Sequence, residues 1–186
     1  MLRSILLFSA SVLLSFQASA LTVKGVDLPE KVTMENQALV LNGAGIRTKM
    51  FVDGYVAALY LTAKNKDAKS IIEADAPMAV RLTITSGLIT PDRMSESTRD
   101  GFVRSTGGNI APIEKEIDAM ISAFKAEVKE GDVYDLVYIP AQGVHVYRNG
   151  EKKAEVKGMA FKKAMFGIWL SDNNIQSSLR KAMLGS

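Results

Sequence analysis

Few side chains in this sequence are suited to chemistry, and Arg47 stands out among them. It follows Gly43-Ala44-Gly45-Ile46, between two apolar runs of the stretch LVLNGAGIRTKMFVDGYVAALYL. Guanidinium is permanently charged and presents a planar fork of donors suited to a carboxylate, phenolate or enolate. The two glycines let the backbone turn or approach another group closely. On sequence physics alone, the default for such a residue is a strand-edge arginine in solvent or bridged to a surface acid. Gly43-Ala44-Gly45 lacks the third glycine and the following helix of a dinucleotide fingerprint, so a nucleotide loop is rejected.

The other reactive types are scarce. His145 is the only histidine and there is no cysteine, which leaves nitrogen- and sulfur-rich metal sites without ligands and thiol catalysis without a thiol. His145 alternates with Val144 and Val146, as an imidazole on one face of a β-ribbon would. No G-x-S-x-G elbow accompanies it. Carboxylates lack calcium-loop spacing, so neither metal nor cofactor is expected. The formal charge is only +3, without a dense Lys/Arg cluster, which argues against a nucleic-acid partner.

The elements that must position Arg47 follow from pattern. Residues 1–20, MLRSILLFSASVLLSFQASA, carry one basic residue, a short apolar run and a small-x-small ending, and are expected to be a cleaved signal peptide. The apolar run is shorter than the about 20 residues of a membrane span. Export, with the bacterial periplasm as the preferred compartment, follows, and so does the absence of a transmembrane span after cleavage. Residues 21–186 form one domain. Short extended pieces lie around Pro29. QALVLNG is a strand ending in turn residues, and KMFVDGYVAALYLT is strand-like with a turn or bulge at Asp53-Gly54. NKDAKSIIEAD is a short helix, and MAVRLTITSG alternates as a strand with one wet face.

Thr90-Pro91 starts a polar helix that Gly107-Gly108 ends. The spacing of Ile113, Ile117, Met120, Ile121, Phe124 and Val128 predicts one long amphipathic helix, with Lys125, Lys129 and Glu130 on its solvated side. Asn149-Gly150 is a hairpin turn between strands, and two short helices separated near Ser171 to Asn174 close the chain. Phe166 and Trp169 are three apart and expected to pack together on the sheet. Tyr134, Tyr138 and Tyr147 are candidate cavity-lining residues from the later strands. The nine methionines and seven phenylalanines suit a core or a cavity equally. Strands first, then helices, a hairpin and terminal helices is a segregated α+β pattern.

LNGAGIRTKMFVDGYVAALYL resembles the chalcone isomerase superfamily, in which a G-A-G-[VI]-R segment precedes a strand ending in a Tyr-Leu or similar pair. KAMFGIWLSDNNIQSSLRKAMLG is similar to the ending of the bacterial chalcone isomerase-like branch. The resemblance implies an open-faced β-sandwich, a large antiparallel sheet with a layer of helices on one face. It also implies that Arg47 matches the arginine that stabilises developing negative charge when a phenol closes onto an enone. The family threonine falls near Tyr55 or Val56, and Tyr55 could supply the hydroxyl in its place. The family tyrosine and asparagine fall near Ile89 or Thr90 and near Ser97, where no such pair exists.

Three functions stay open on this basis. The first is non-catalytic binding of a small apolar anion, fatty-acid-like, in a cleft through Arg47 and Tyr55; an aromatic anion would fit the same description. The second is a cofactor-independent isomerase (an intramolecular lyase) with Arg47 and Tyr55 as its catalytic pair. The third is a structural or interaction protein of the envelope.

Overall fold

The structure, a computed structural model, describes residues 20–186; the expected signal peptide lies outside them but for Ala20, the first residue of β1. Elements in chain order are β1 (Ala20–Val23), β2 (Val26–Pro29), β3 (Lys31–Met34), β4 (Gln37–Lys49), β5 (Val52–Leu61), α1 (Ala68–Glu73) and β6 (Met78–Ile84). They continue with α2 (Pro91–Ser105), a 3₁₀ turn (Ala111–Ile113), α3 (Glu114–Ser122), β7 (Val133–Ile139), β8 (Gly143–Arg148), β9 (Glu151–Val156), α4 (Met159–Leu170) and α5 (Ser177–Met183). Strands β3 to β9 form one seven-stranded antiparallel sheet in sequence order, and β1 and β2 form a separate hairpin. The helices enter between β5 and β6, between β6 and β7, and after β9, and all pack on one face.

Period-two alternation sorts the strand residues between the two faces. Ala57, Leu59, Val80, Leu82, Tyr134, Leu136, Val144 and Val146 turn to the helices and share a core with Phe102, Phe161 and Phe166. Val56, Ala58, Tyr60, Ala79 and Val137 turn the other way and meet Leu28 of the β1–β2 hairpin. That hairpin covers part of the open face, where the Tyr60 hydroxyl donates to the Pro29 carbonyl at 3.2 Å. The wet face expected of β6 carries Arg81, paired side-on with Asp135 through Nε at 2.7 Å and Nη2 at 2.9 Å.

The cap expected at Thr90 forms, and Asp67 supplies another at the start of α1. The Asp67 carboxylate accepts from the Ser70 amide at 2.9 Å, and the Thr90 hydroxyl accepts from the Arg93 amide at 3.3 Å with Pro91 opening α2. The N–H groups of a first helical turn have no intrahelical partner, which is why these oxygens define the starts.

Two expectations about local structure are corrected, and a third is resolved between its alternatives. Asn42-Gly43 is not a turn: β4 runs through it, with a bulge between Leu41 and Gly43. The buried Asn42 amide holds that bulge, donating to the Met183 carbonyl at 2.9 Å and accepting from the Asn65 amide at 2.7 Å. At Asp53-Gly54, expected as a turn or a bulge, the structure has the bulge, opposite Arg47/Thr48, and the chain reverses at Met50-Phe51. The long amphipathic helix ends at Ser122. Beyond it the amides of Ala123, Phe124 and Lys125 bond three residues back, and Phe124 and Val128 reach the core from an irregular segment. Phe124 meets Tyr134 edge-on at 5.2 Å. Burial of those two side chains, not helical continuity, explains the apolar spacing. Lys125, Lys129 and Glu130 are exposed on that segment rather than on a helix.

Candidate functional site

Arg47 and Tyr55 are direct cross-strand partners on β4 and β5. Residues opposite one another in an antiparallel pair project to the same face. Tyr55 packs against the helix-side core while Val56 belongs to the other face, so Tyr55 is the residue beside Arg47. Both line a cavity of about 590 Å³ between the sheet and the helix layer. Its floor includes Leu82 and Leu136, its walls include Met94 of α2, Met120 and Phe124, and Ile168 and Trp169 of α4 close one side. That volume falls within the about 300–1,000 Å³ of small-molecule sites, and an apolar lining with a few placed polar groups is their usual form.

The glycines ahead of Arg47 are explained by α5. A Cβ on Gly43 would sit 2.2 Å from the Ala182 carbonyl oxygen, and one on Gly45 would sit 2.8 Å from the Ala182 Cβ. The C-terminal helix therefore lies directly on the β4 backbone, which no larger residue permits. This contact brings the α4–α5 loop to Arg47. Nη1 of Arg47 donates to the carbonyls of Thr48 and Ile175, each at 3.2 Å, and to Oε1 of Gln176 at 3.1 Å. The same Oε1 accepts from the Thr48 amide at 2.9 Å, and Nε2 of Gln176 donates to the Ile46 carbonyl at 3.1 Å. Gln176 thus clips the loop to the bulged end of β4 and fixes the guanidinium. Nothing in the sequence around Gln176 signalled this role; the contact spans about 130 residues of chain.

Every protein partner of Arg47 is neutral, and every one is on Nη1. Among the described residues, no carboxylate lies within 4.0 Å of its guanidinium. Its Nε/Nη2 edge makes no hydrogen bond to the described residues. That is the edge with which Arg81 grips Asp135 on the opposite face. Trp169 Nε1 donates to the Tyr55 hydroxyl at 3.2 Å, which leaves the phenolic proton free to be donated. Burial pushes the Tyr55 phenol up, against the opposing pulls of the Trp169 bond and the Arg47 charge. Tyr55 therefore stays a neutral donor through physiological pH.

Other expected residues fall into place around the site or away from it. Trp169, assigned to packing with Phe166, is buried but also lines the cavity. Tyr134, Tyr138 and Tyr147 do not line it. Tyr134 is buried in the core, Tyr138 bonds Asp75 at 2.6 Å, and Tyr147 lies on the opposite face against Glu35. His145 is on that opposite face too, 2.6 Å from Glu35 through Nδ1 and buried. Ile89 and Ser97 both line the cavity, whereas Thr90 is committed to capping α2. The positions corresponding to the family's tyrosine and asparagine thus present an alkyl group and a small hydroxyl. Among the described residues, no group of three or more His, Cys, Asp or Glu is placed to hold a metal ion, and no helix is long and apolar enough to cross a membrane.

No curated protein matches the chain in sequence. In structure it is similar to the Arabidopsis thaliana fatty-acid binding protein, with a TM-score of 0.71 and 16% identity over 89% of this chain and 96% of that one. The likeness confirms the sheet with helices on one face. The family pattern described as chalcone isomerase-like matches residues 20–185, and the chain belongs to that family.

Proposed function

We propose that this protein binds a long-chain carboxylate without transforming it, the carboxylate on the Nε/Nη2 edge of Arg47 and the Tyr55 hydroxyl, the alkyl chain between sheet and helices. The observation that carries this reading is an arginine fixed by neutral partners, with no acid beside it, in an otherwise largely apolar cavity. Two acids, Glu96 and Asp100, line the same cavity, but among the described residues neither is within 4.0 Å of the guanidinium, so an arginine turned into this space is suited to an anion from outside the chain. The similarity in fold to a fatty-acid binding protein supports the same ligand class. A charge held in an apolar enclosure also interacts more strongly with its ligand than one in water.

Ring closure of a chalcone-like phenol is the less supported reading. Arg47 and Tyr55 could stabilise an enolate, but Ile89 and Ser97 offer nothing equivalent to a tyrosine–asparagine pair. The leader-like residues 1–20 support export to the periplasm, where a lipid-binding protein would meet fatty acids in transit.

Native mass spectrometry of protein purified from its own compartment tests the first reading: a copurifying fatty acid is expected, and consistently empty protein that also fails to bind added oleate refutes it. Flavanone formation faster in wild type than in Arg47→Ala would instead establish the isomerase. Amino-terminal sequencing of the exported protein is expected to begin at Leu21.

A further inference from the structure

Four hairpins in this fold turn through two residues that both have positive φ: Lys24-Gly25, Glu35-Asn36, Met50-Phe51 and Asn149-Gly150. This geometry favours glycine and asparagine, which tolerate left-handed backbone. Three of the four turns contain one of these. The β4–β5 turn contains neither, holding Met50 at φ 48° and Phe51 at φ 66°. Backbone conformations of this kind cost stability in bulky residues, and apolar burial does not compensate. Met50 is 84% exposed and Phe51 fully so, at 103%. Strained, exposed apolar residues are a pointer to a role outside the fold.

Their position supplies that role. Met50 lines the cavity, as do Lys49 before it and Leu88 and Arg93 from the loop and first turn leading into α2. Leu88 is itself 55% exposed. The nearest acid on the hairpin, Asp53, is already paired with Lys24 at 2.8 Å, leaving Lys49 without an acidic partner among the described residues. The cavity's acids, Glu96 and Asp100, lie about one and two turns further along α2 than Arg93, so the charged lining residues next to the tip and at the start of α2 are Lys49 and Arg93. An apolar tip with these cations beside it, next to the opening of a largely apolar cavity, has the chemistry of an interfacial anchor on an anionic bilayer.

We propose that the β4–β5 tip docks this protein on anionic phospholipid membranes, with Met50 and Phe51 in the acyl boundary and Lys49 and Arg93 at the headgroups, so that a lipid passes between bilayer and cavity without crossing water. The proposal rests on the reading of the cavity as a lipid site and names the surface that the site faces.

The test is cosedimentation of the full exported chain with vesicles of phosphatidylcholine alone and of phosphatidylcholine mixed with phosphatidylglycerol, without added fatty acid. Wild type should partition into the mixed vesicles and much less into the neutral ones. Phe51→Ser should lower that partitioning by about tenfold or more, the consequence of losing one buried aromatic side chain. Its oleate affinity in vesicle-free buffer should stay unchanged, since Phe51 is outside the cavity wall. Phe51→Trp in a Trp169→Phe background should give blue-shifted emission quenched by brominated phospholipid. Arg47→Met should still bind vesicles, which separates failure of the ligand reading from failure of this one. Absence of wild-type binding, equal binding by Phe51→Ser, or equal partitioning into neutral vesicles overturns the proposal. A Phe51-dependent dimer that ignores vesicles overturns it in favour of a second copy of the chain.

Discussion

Replacing Arg47 with methionine removes the guanidinium while keeping a flexible chain of similar reach on the same strand. The cost to folding should be small. Gln176 keeps its bonds to the Thr48 amide and the Ile46 carbonyl, and only the three Nη1 contacts are lost. For a part-buried group with neutral partners that amounts to about 1 kcal/mol. The cost to binding should be much larger. Two charge-assisted bonds from the Nε/Nη2 edge to a carboxylate would contribute roughly 2–4 kcal/mol together, since Tyr55 and water recover part of the loss. Oleate affinity should therefore fall by about thirtyfold to a thousandfold. Methyl oleate has the same chain and no charge, so its affinity should change by no more than about threefold. Calorimetric titration of delipidated wild type and variant with both ligands forms a cycle that isolates the arginine–carboxylate coupling. Equal weakening of both ligands would mean that Arg47 merely shapes the cavity. No weakening of either would remove it as the anchor.

Other perturbations probe what holds that arginine and the helix layer. Gln176→Ala should lower thermal stability by about 1–2 kcal/mol, because it strands the Ile46 carbonyl and Thr48 amide, and should weaken oleate severalfold through loss of Arg47 orientation. Gly43→Ala should cost about 1–3 kcal/mol by forcing α5 away from a backbone oxygen, whereas Gly87→Ala, with nothing within 4 Å of the added carbon, should be neutral in the same melt. Lys162 is fully buried in α4, donating to the carbonyls of Ile71, Ile72 and Ala74 at the end of α1. Burial lowers its pKa to about 8 from 10.5. The unfolded chain then holds the proton over a window in which the folded one has released it. Stability should consequently rise from about pH 8 toward 10.5 relative to Lys162→Met, by up to about 3 kcal/mol. Urea melts of the two proteins at matched pH measure the difference, and parallel pH profiles would refute the assignment.

Local chemistry was legible wherever near neighbours decide it. The cap at Thr90, the Asn149-Gly150 turn and the alternation of β6 depend on residues a few positions apart, and each appears as the pattern predicts. The long helix misled because spacing reports which residues are buried, and an irregular segment can bury Phe124 and Val128 as well as a helix can. Asn42-Gly43 misled because a turn signal and a bulge signal use the same residues.

By itself, the sequence determined a segregated α+β sheet with helices on one side, and Arg47 as the group to examine. Periodicity and the G-A-G-I-R motif carry that much, since alternation records which face each residue takes. Only the tertiary structure decided what surrounds the arginine. Tyr55 faces it through strand register, Gln176 reaches it across the full sheet-to-terminus distance in sequence, and the glycines exist because α5 lies on the β4 backbone. Each of these is a contact between segments far apart in the chain, and the pattern within either segment carries no record of the other.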